Sequence, residues 1–153
     1  MTLKGFLMKF FDMTVPLNYN PILLGEERPK EKGWWVVGET PPELGKYLRT
    51  LYKFSTYSCS LLIRPAWADH ITIVRDEKPT ITEDKVKSFW RKYIGQSIEC
   101  RVILEPETNG YYWWLPIISE AACVLRRELG LTPSPEIPLH LSFGHTGVKN
   151  ESK

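Results

Sequence analysis

The chain is poor in several residues that commonly announce a function. It holds three cysteines in 153 residues. Cys59, Cys100 and Cys123 are an odd number without CxxC spacing, so they read as reduced thiols in a cytosolic setting rather than as a disulfide framework or a zinc site. Charge of one sign is also lacking: 20 basic residues against 18 acidic ones leave a net +2. That balance argues against a protein held on polymeric nucleic acid mainly by charge and leaves room for a small anionic ligand. Long apolar runs are missing as well. Met1 to Phe11 is interrupted by Lys4 and Lys9, Asp12 follows, and no small-residue cleavage site comes after, so neither a signal peptide nor a membrane span is expected. Histidine is scarce too, with three in the chain.

What is present describes one globular domain. A composition of 42% hydrophobic, 25% charged and 12% aromatic residues is that of a folded chain, and six tryptophans are a heavy load for its length. Residues 1–32 have no clean period and are punctuated by Pro16, Pro21, Gly25 and Pro29, which reads as an N-terminal arm holding at most a strand or a short helix. Gly33 to Gly38 reads as the first core strand. Thr40 is then expected to cap a helix whose stripe is Leu44, Tyr47, Leu48, Leu51 and Tyr52. A short extended segment, Ser60 to Arg64, precedes a strand beginning near His70. A second helix is expected from Thr82 to Tyr93, with Gly95 as its stop. Ile98 to Leu104 and Tyr111 to Ile117 form a hairpin around Asn109-Gly110, Ser119 opens a third helix closed at Gly130, and a last strand begins near His140. Residues 145–153 read as a polar tail. This order predicts an α+β sandwich of two similar lobes, with antiparallel sheets lining a central groove and helices outside.

Two of the three histidines sit in the same local pattern. Asp69-His70-Ile71-Thr72-Ile73-Val74 and Leu139-His140-Leu141-Ser142-Phe143-Gly144 each place a histidine two residues before a hydroxyl, inside a run of strand-forming residues. Side chains on a strand alternate, so His70 shares a face with Thr72, and His140 with Ser142. If the strands adjoin, two imidazoles and two hydroxyls converge, an arrangement suited to a phosphodiester: one imidazole takes a proton, the other gives one, and the hydroxyls hold the phosphoryl oxygens. A single such histidine is more often structural than catalytic. Two, at equivalent places in two lobes, favour the catalytic reading.

His145 serves as the control, followed by Thr146-Gly147 and expected past the strand in the exposed tail. A metal site built from His70, His140 and His145 lacks a carboxylate or cysteine at ligand spacing, so no metal or other cofactor is expected. For substrate binding the candidates are Trp67, beside the first motif; Arg75, to neutralise phosphate; and Tyr112 with Trp114, to stack a base, since they share the face of the hairpin strand opposite Tyr111 and Trp113. Arg64 and Lys78 are weaker candidates for phosphate.

The doubled H-x-[T/S]-apolar motif, His70-Ile71-Thr72-Ile73 with His140-Leu141-Ser142-Phe143, resembles that of the two-histidine phosphoesterase superfamily, which includes the RNA ligase-like cyclic phosphodiesterases. Further stretches, Gly33-Trp34, Arg64-Pro65-Ala66-Trp67-Ala68-Asp69, Arg75-Asp76-Glu77-Lys78-Pro79, Tyr112-Trp113-Trp114-Leu115, Arg127 to Leu131 and Pro138-Leu139, are similar to the phage anti-CBASS phosphodiesterases. Ala68 and Asp76 stand where that pattern has glycine, and Ser142 where it has threonine. The resemblance covers about 33–144 and implies a metal-independent enzyme of the infected cell's cytoplasm that cuts the cyclic di- and trinucleotide signals of antiphage defence. Two other readings stay open: a phosphodiesterase for RNA ends or 2′-5′ linkages, and a non-catalytic sponge for cyclic nucleotides. Neither polymeric nucleic acid nor a membrane is an implied partner, and the oligomeric state is left open.

Overall fold

The computed structural model describes residues 9–19, 35–55, 62–64, 69–75, 77, 79–82, 84, 93 and 95–147. Seven strands and two helices lie among them: β1 Phe10–Tyr19, β2 Trp35–Glu39, α1 Pro42–Ser55, β3 His70–Arg75, β4 Ser97–Ile103, β5 Glu107–Thr108, β6 Tyr112–Ile118, α2 Glu120–Glu128 and β7 His140–His145. Every strand pairing is antiparallel. The strands follow the order β4-β1-β2-β3-β7-β6-β5, and a further pairing of β4 with β6 closes six of them into a barrel. The class is therefore α+β and antiparallel, with a closed barrel in place of the two separable lobes that the element order predicts.

The barrel nevertheless carries an internal repeat. β2-α1-β3 and β6-α2-β7 are each an antiparallel strand pair joined through a helix, and β3 meets β7 at the junction of the two units. β1 flanks the first unit and β4 the second, and β1–β4 pairing closes the ring. The N-terminal stretch contains the one strand its sequence allows: Phe10–Tyr19 pairs with β4 through Phe10 to Pro16 and with β2 through Leu17 to Tyr19.

One face of the sheet forms the core. Val15, Val36, Ile71, Val74, Ile98, Cys100, Val102, Leu115, Leu141 and Phe143 pack there with Leu48 of α1 and Ala122 and Leu125 of α2. The alternation is clearest in β4, whose Ile98, Cys100 and Val102 are buried between exposed Ser97, Glu99 and Arg101. Of the stripe expected on α1, Leu44, Leu48 and Tyr52 face the core, while Tyr47 and Leu51 are exposed. α2 follows expectation. Ser119 Oγ accepts from Ala122 N at 3.1 Å as N-cap, and Gly130 (φ 74°) takes the left-handed conformation just beyond the helix.

Thr40 does not cap α1. Pro42 is the first helical residue, and the Thr40 hydroxyl instead donates to the Asp69 carbonyl at 2.9 Å, with the Thr40 amide directed to the same oxygen at 3.3 Å. A residue outside α1 is thereby committed to the entry of the first motif strand. The helix expected from Thr82 to Tyr93 lies mostly outside the described residues.

Candidate functional site

The two motif strands are neighbours. Ile71 of β3 stands opposite Leu141 of β7, and both are on the core face, 1% and 0% exposed. In an antiparallel pair this register sets His70 across from Ser142 and Thr72 across from His140, all four half-buried on the opposite face. The two histidines are diagonal neighbours, with positions about 7–8 Å apart along the diagonal. Imidazoles rising from such positions can reach two oxygens of one phosphate through hydrogen bonds of about 2.8 Å, and the two hydroxyls occupy the other diagonal.

The neighbouring strands extend this into two rungs. Register on both sides gives Glu39–His70–Ser142–Trp114 and Val37–Thr72–His140–Pro116, reading from β2 to β6. Trp114 and His140 have ring centroids 6.1 Å apart at 64°. Trp35, 0% exposed, and His70 form a T-shaped pair with ring centroids 5.8 Å apart at 80°. The motif face is therefore walled by aromatic rings at both histidines.

His140 Nδ1 lies 2.8 Å from the Pro138 carbonyl, which accepts a proton and cannot give one. Nδ1 therefore carries its hydrogen, and Nε2 is left for proton exchange. At the first motif a buried carboxyl precedes the histidine instead. Asp69, 6% exposed, packs its carboxylate against α1, with Arg49 Nη1 3.5 Å from Oδ1. Burial pushes the Asp69 carboxyl above its ordinary range, and the charges of Arg49 and Arg64 pull it back. The same Arg49 Nη1 donates to the Phe143 carbonyl at 2.9 Å, so one guanidinium from α1 touches both motif strands.

The other expected residues divide as follows. Tyr112 and Trp114 lie on the motif face, Tyr112 opposite His145 and Trp114 opposite Ser142. Trp113 turns to the core and meets Tyr52 at 4.7 Å. Arg75 ends β3 across from Trp35, at the end of the strand away from His70. Arg64 is exposed and acts on the Asp69 carboxyl through its charge. Trp67 and Lys78 lie outside the described residues. His145 is a correction. β7 continues to it, it exchanges backbone hydrogen bonds with Ile63 at 2.8 and 3.0 Å, and its half-buried ring stacks on Tyr111 at 5.1 Å. The register shifts between Trp113 and Trp114, and beyond the shift Trp113 pairs with Gly144 and Tyr112 with His145, where the sequence places the start of the tail.

Glu39, Asn18, Trp35 and Arg49 belong to this neighbourhood without standing in either motif. Glu39 continues the period-two series Trp35, Val37, Glu39, a signal that becomes legible once β2 is known to pair with β3. Among the described residues no group of three or more histidine, cysteine, aspartate or glutamate side chains is arranged to hold a metal ion, and no helix is long and apolar enough to cross a membrane. Comparison of the chain with protein-family models, with curated proteins and with solved structures finds no match in any of the three.

Proposed function

We propose that this protein is a metal-independent phosphodiesterase that opens cyclic di- or trinucleotides at a 3′-5′ bond, and that it serves a phage against the cyclic-nucleotide defence of its host. The observation that carries the chemistry is the register of Ile71 with Leu141, which gathers His70, Thr72, His140 and Ser142 on one half-buried face. The choice of a cyclic substrate rests on the resemblance to the anti-CBASS enzymes. The repeated strand-helix-strand unit, with both helices on the core face and the motif residues opposite, supports the RNA ligase-like arrangement of helices outside a groove.

One histidine, neutral, takes the proton of the 2′-hydroxyl. The freed oxygen bonds to the adjacent phosphorus as the bond to the 5′-oxygen breaks, and the other histidine, as imidazolium, gives its proton to that leaving oxygen. Thr72 and Ser142 donate to the non-bridging oxygens as negative charge gathers there. The product is a linear oligonucleotide ending in a 2′,3′-cyclic phosphate. Paired measurements with a cyclic dinucleotide and its 2′-deoxy analogue test the step: the first is cut, in EDTA as in buffer, and the second is not. Cleavage of the deoxy analogue, or loss of activity in EDTA that zinc restores, overturns the mechanism.

A further inference from the structure

The two histidines have the same motif but different neighbours. Across β2, the residue opposite His70 is Glu39; across β6, the residue opposite His140 is Pro116. The Glu39 pairing is close. The Thr40 amide bonds the Asp69 carbonyl, so Thr40 and Asp69 form a hydrogen-bonded pair of the ladder. The next pair, Glu39 and His70, is then of the non-hydrogen-bonded kind, in which side chains approach most nearly. One Glu39 oxygen, Oε1, accepts from Asn18 Nδ2 of β1 at 2.6 Å, on the side of β2 away from β3, which leaves Oε2 as the oxygen for His70.

We propose that Glu39, held by Asn18, is the positioning residue of His70, and that it makes His70 the histidine that protonates the leaving oxygen, with His140 the base; this assignment rests on the phosphodiesterase reading above. A carboxylate beside an imidazole favours its cationic form, the form a proton donor must hold before the reaction. Among the described residues the other charges near His70 are Asp69 and Arg75, with His140 across β7. Asp69 packs its carboxylate against α1, with Arg49 3.5 Å away and Arg64 acting on it, and its charge also acts on His70 from the side of the strand away from Glu39. Arg75 is at the far end of β3, and His140 stands diagonally across β7. On the His140 side, Glu107 accepts from Trp114 Nε1 at 3.1 Å, and the Nδ1 partner is the uncharged Pro138 carbonyl. In each turnover the 2′-hydroxyl proton passes to His140 Nε2 as the new O–P bond forms, and the 5′-oxygen leaves with the proton of His70. Solvent then returns a proton to His70 and takes one from His140.

The test is an NMR titration of both imidazoles in the full-length wild type, E39Q and N18A, alongside the pH profile of kcat/KM on a cyclic dinucleotide. The sign follows from the roles. An imidazolium donor is lost as pH rises through its midpoint, so His70 governs the alkaline limb. E39Q is expected to lower the His70 midpoint by roughly half a pH unit, the coupling of a pair with one exposed and one half-buried member. The alkaline limb shifts down by the same amount, the acid limb and the His140 midpoint stay in place, and N18A shifts them in the same direction by less. A His70 midpoint unmoved in both variants, or movement of the acid limb in place of the alkaline one, overturns the proposal. Should the wild type cut no cyclic nucleotide, the phosphodiesterase reading and the donor role fall together, while the titration still decides whether Glu39 acts on His70.

Discussion

Gly45→Ala is a substitution whose sign depends on the packing behind His70. In an ordinary helix it stabilises by about 1 kcal/mol, because alanine loses less backbone freedom than glycine. Here Gly45 is buried in α1, and a methyl at its position runs into the Asp69 carboxyl, meeting Oδ2 and Cγ and lying 2.7 Å from Oδ1. The whole carboxyl must move, and it is short, 6% exposed and paired with Arg49. Forcing a methyl into such a site costs about 1–3 kcal/mol, with a further cost when the buried carboxylate is drawn off its guanidinium. The cost exceeds the helix gain, so G45A is expected to lose about 1–2 kcal/mol, or about 2–8 °C in Tm for a chain of this size. Urea unfolding of wild type, G45A, D69A and the double variant measures it. In the D69A background the methyl has room, and the loss from G45A should shrink by about 1 kcal/mol or more, a coupling expected only of residues in contact. If G45A is as stable as wild type or more so, the account of how Asp69 is seated against α1 is refuted.

The remaining predictions concern the far end of β3, the core of β4 and the motif face. Arg126 is fully buried and donates to both Glu77 oxygens at 2.7 and 2.6 Å, to the Ile73 carbonyl at 2.8 Å and to the Thr132 carbonyl at 2.7 Å; R126A is expected to lose about 3–5 kcal/mol in chemical denaturation, as breaking a buried pair does. The Arg126 guanidinium holds the Glu77 carboxyl below its ordinary value of 4.5, so this pair stabilises the fold above about pH 4.5 and ceases to as pH falls through the lowered value. Stability curves of wild type and E77Q should therefore differ near neutral pH and converge in acid. Burial pushes the Cys100 thiol up, so in native protein Cys100 should resist iodoacetamide and react once urea unfolds the chain. W114A is expected to weaken binding of a cyclic dinucleotide by about 1–3 kcal/mol if a base stacks there, measured by calorimetry in an H140A background. Unchanged affinity would assign that tryptophan to barrel packing alone.

Much of the site was legible in the sequence because period-two alternation is local: it set His70 with Thr72 and His140 with Ser142, and it separated Tyr112 and Trp114 from Trp113. What alternation cannot give is register. The opposition of Ile71 to Leu141, and hence the diagonal placing of the histidines, follows from strand pairing between segments 70 residues apart in the chain. Glu39 was invisible for the same reason. Phe10–Tyr19 reads weakly as a strand, since Asp12, Pro16 and Asn18 lie within it; pairing on both sides with β4 and β2 overrides that local preference. Thr40 shows a hydroxyl whose local pattern offers a cap while a tertiary partner, the Asp69 carbonyl, takes it. The two lobes were expected from element order alone, and that order contains nothing about the β1–β4 and β4–β6 pairings that close the barrel.

The most direct measurement incubates the wild type, H70A and H140A with a panel of cyclic di- and trinucleotides and weighs the products by mass spectrometry, with circular dichroism to show that the variants are folded. The account predicts linear products with a 2′,3′-cyclic phosphate from the wild type, and intact rings from both folded variants. Ligand recovered unbroken from the wild type, with His70→Ala and His140→Ala still sequestering it, would instead make the protein a cyclic-nucleotide sponge and contradict the paired-histidine chemistry.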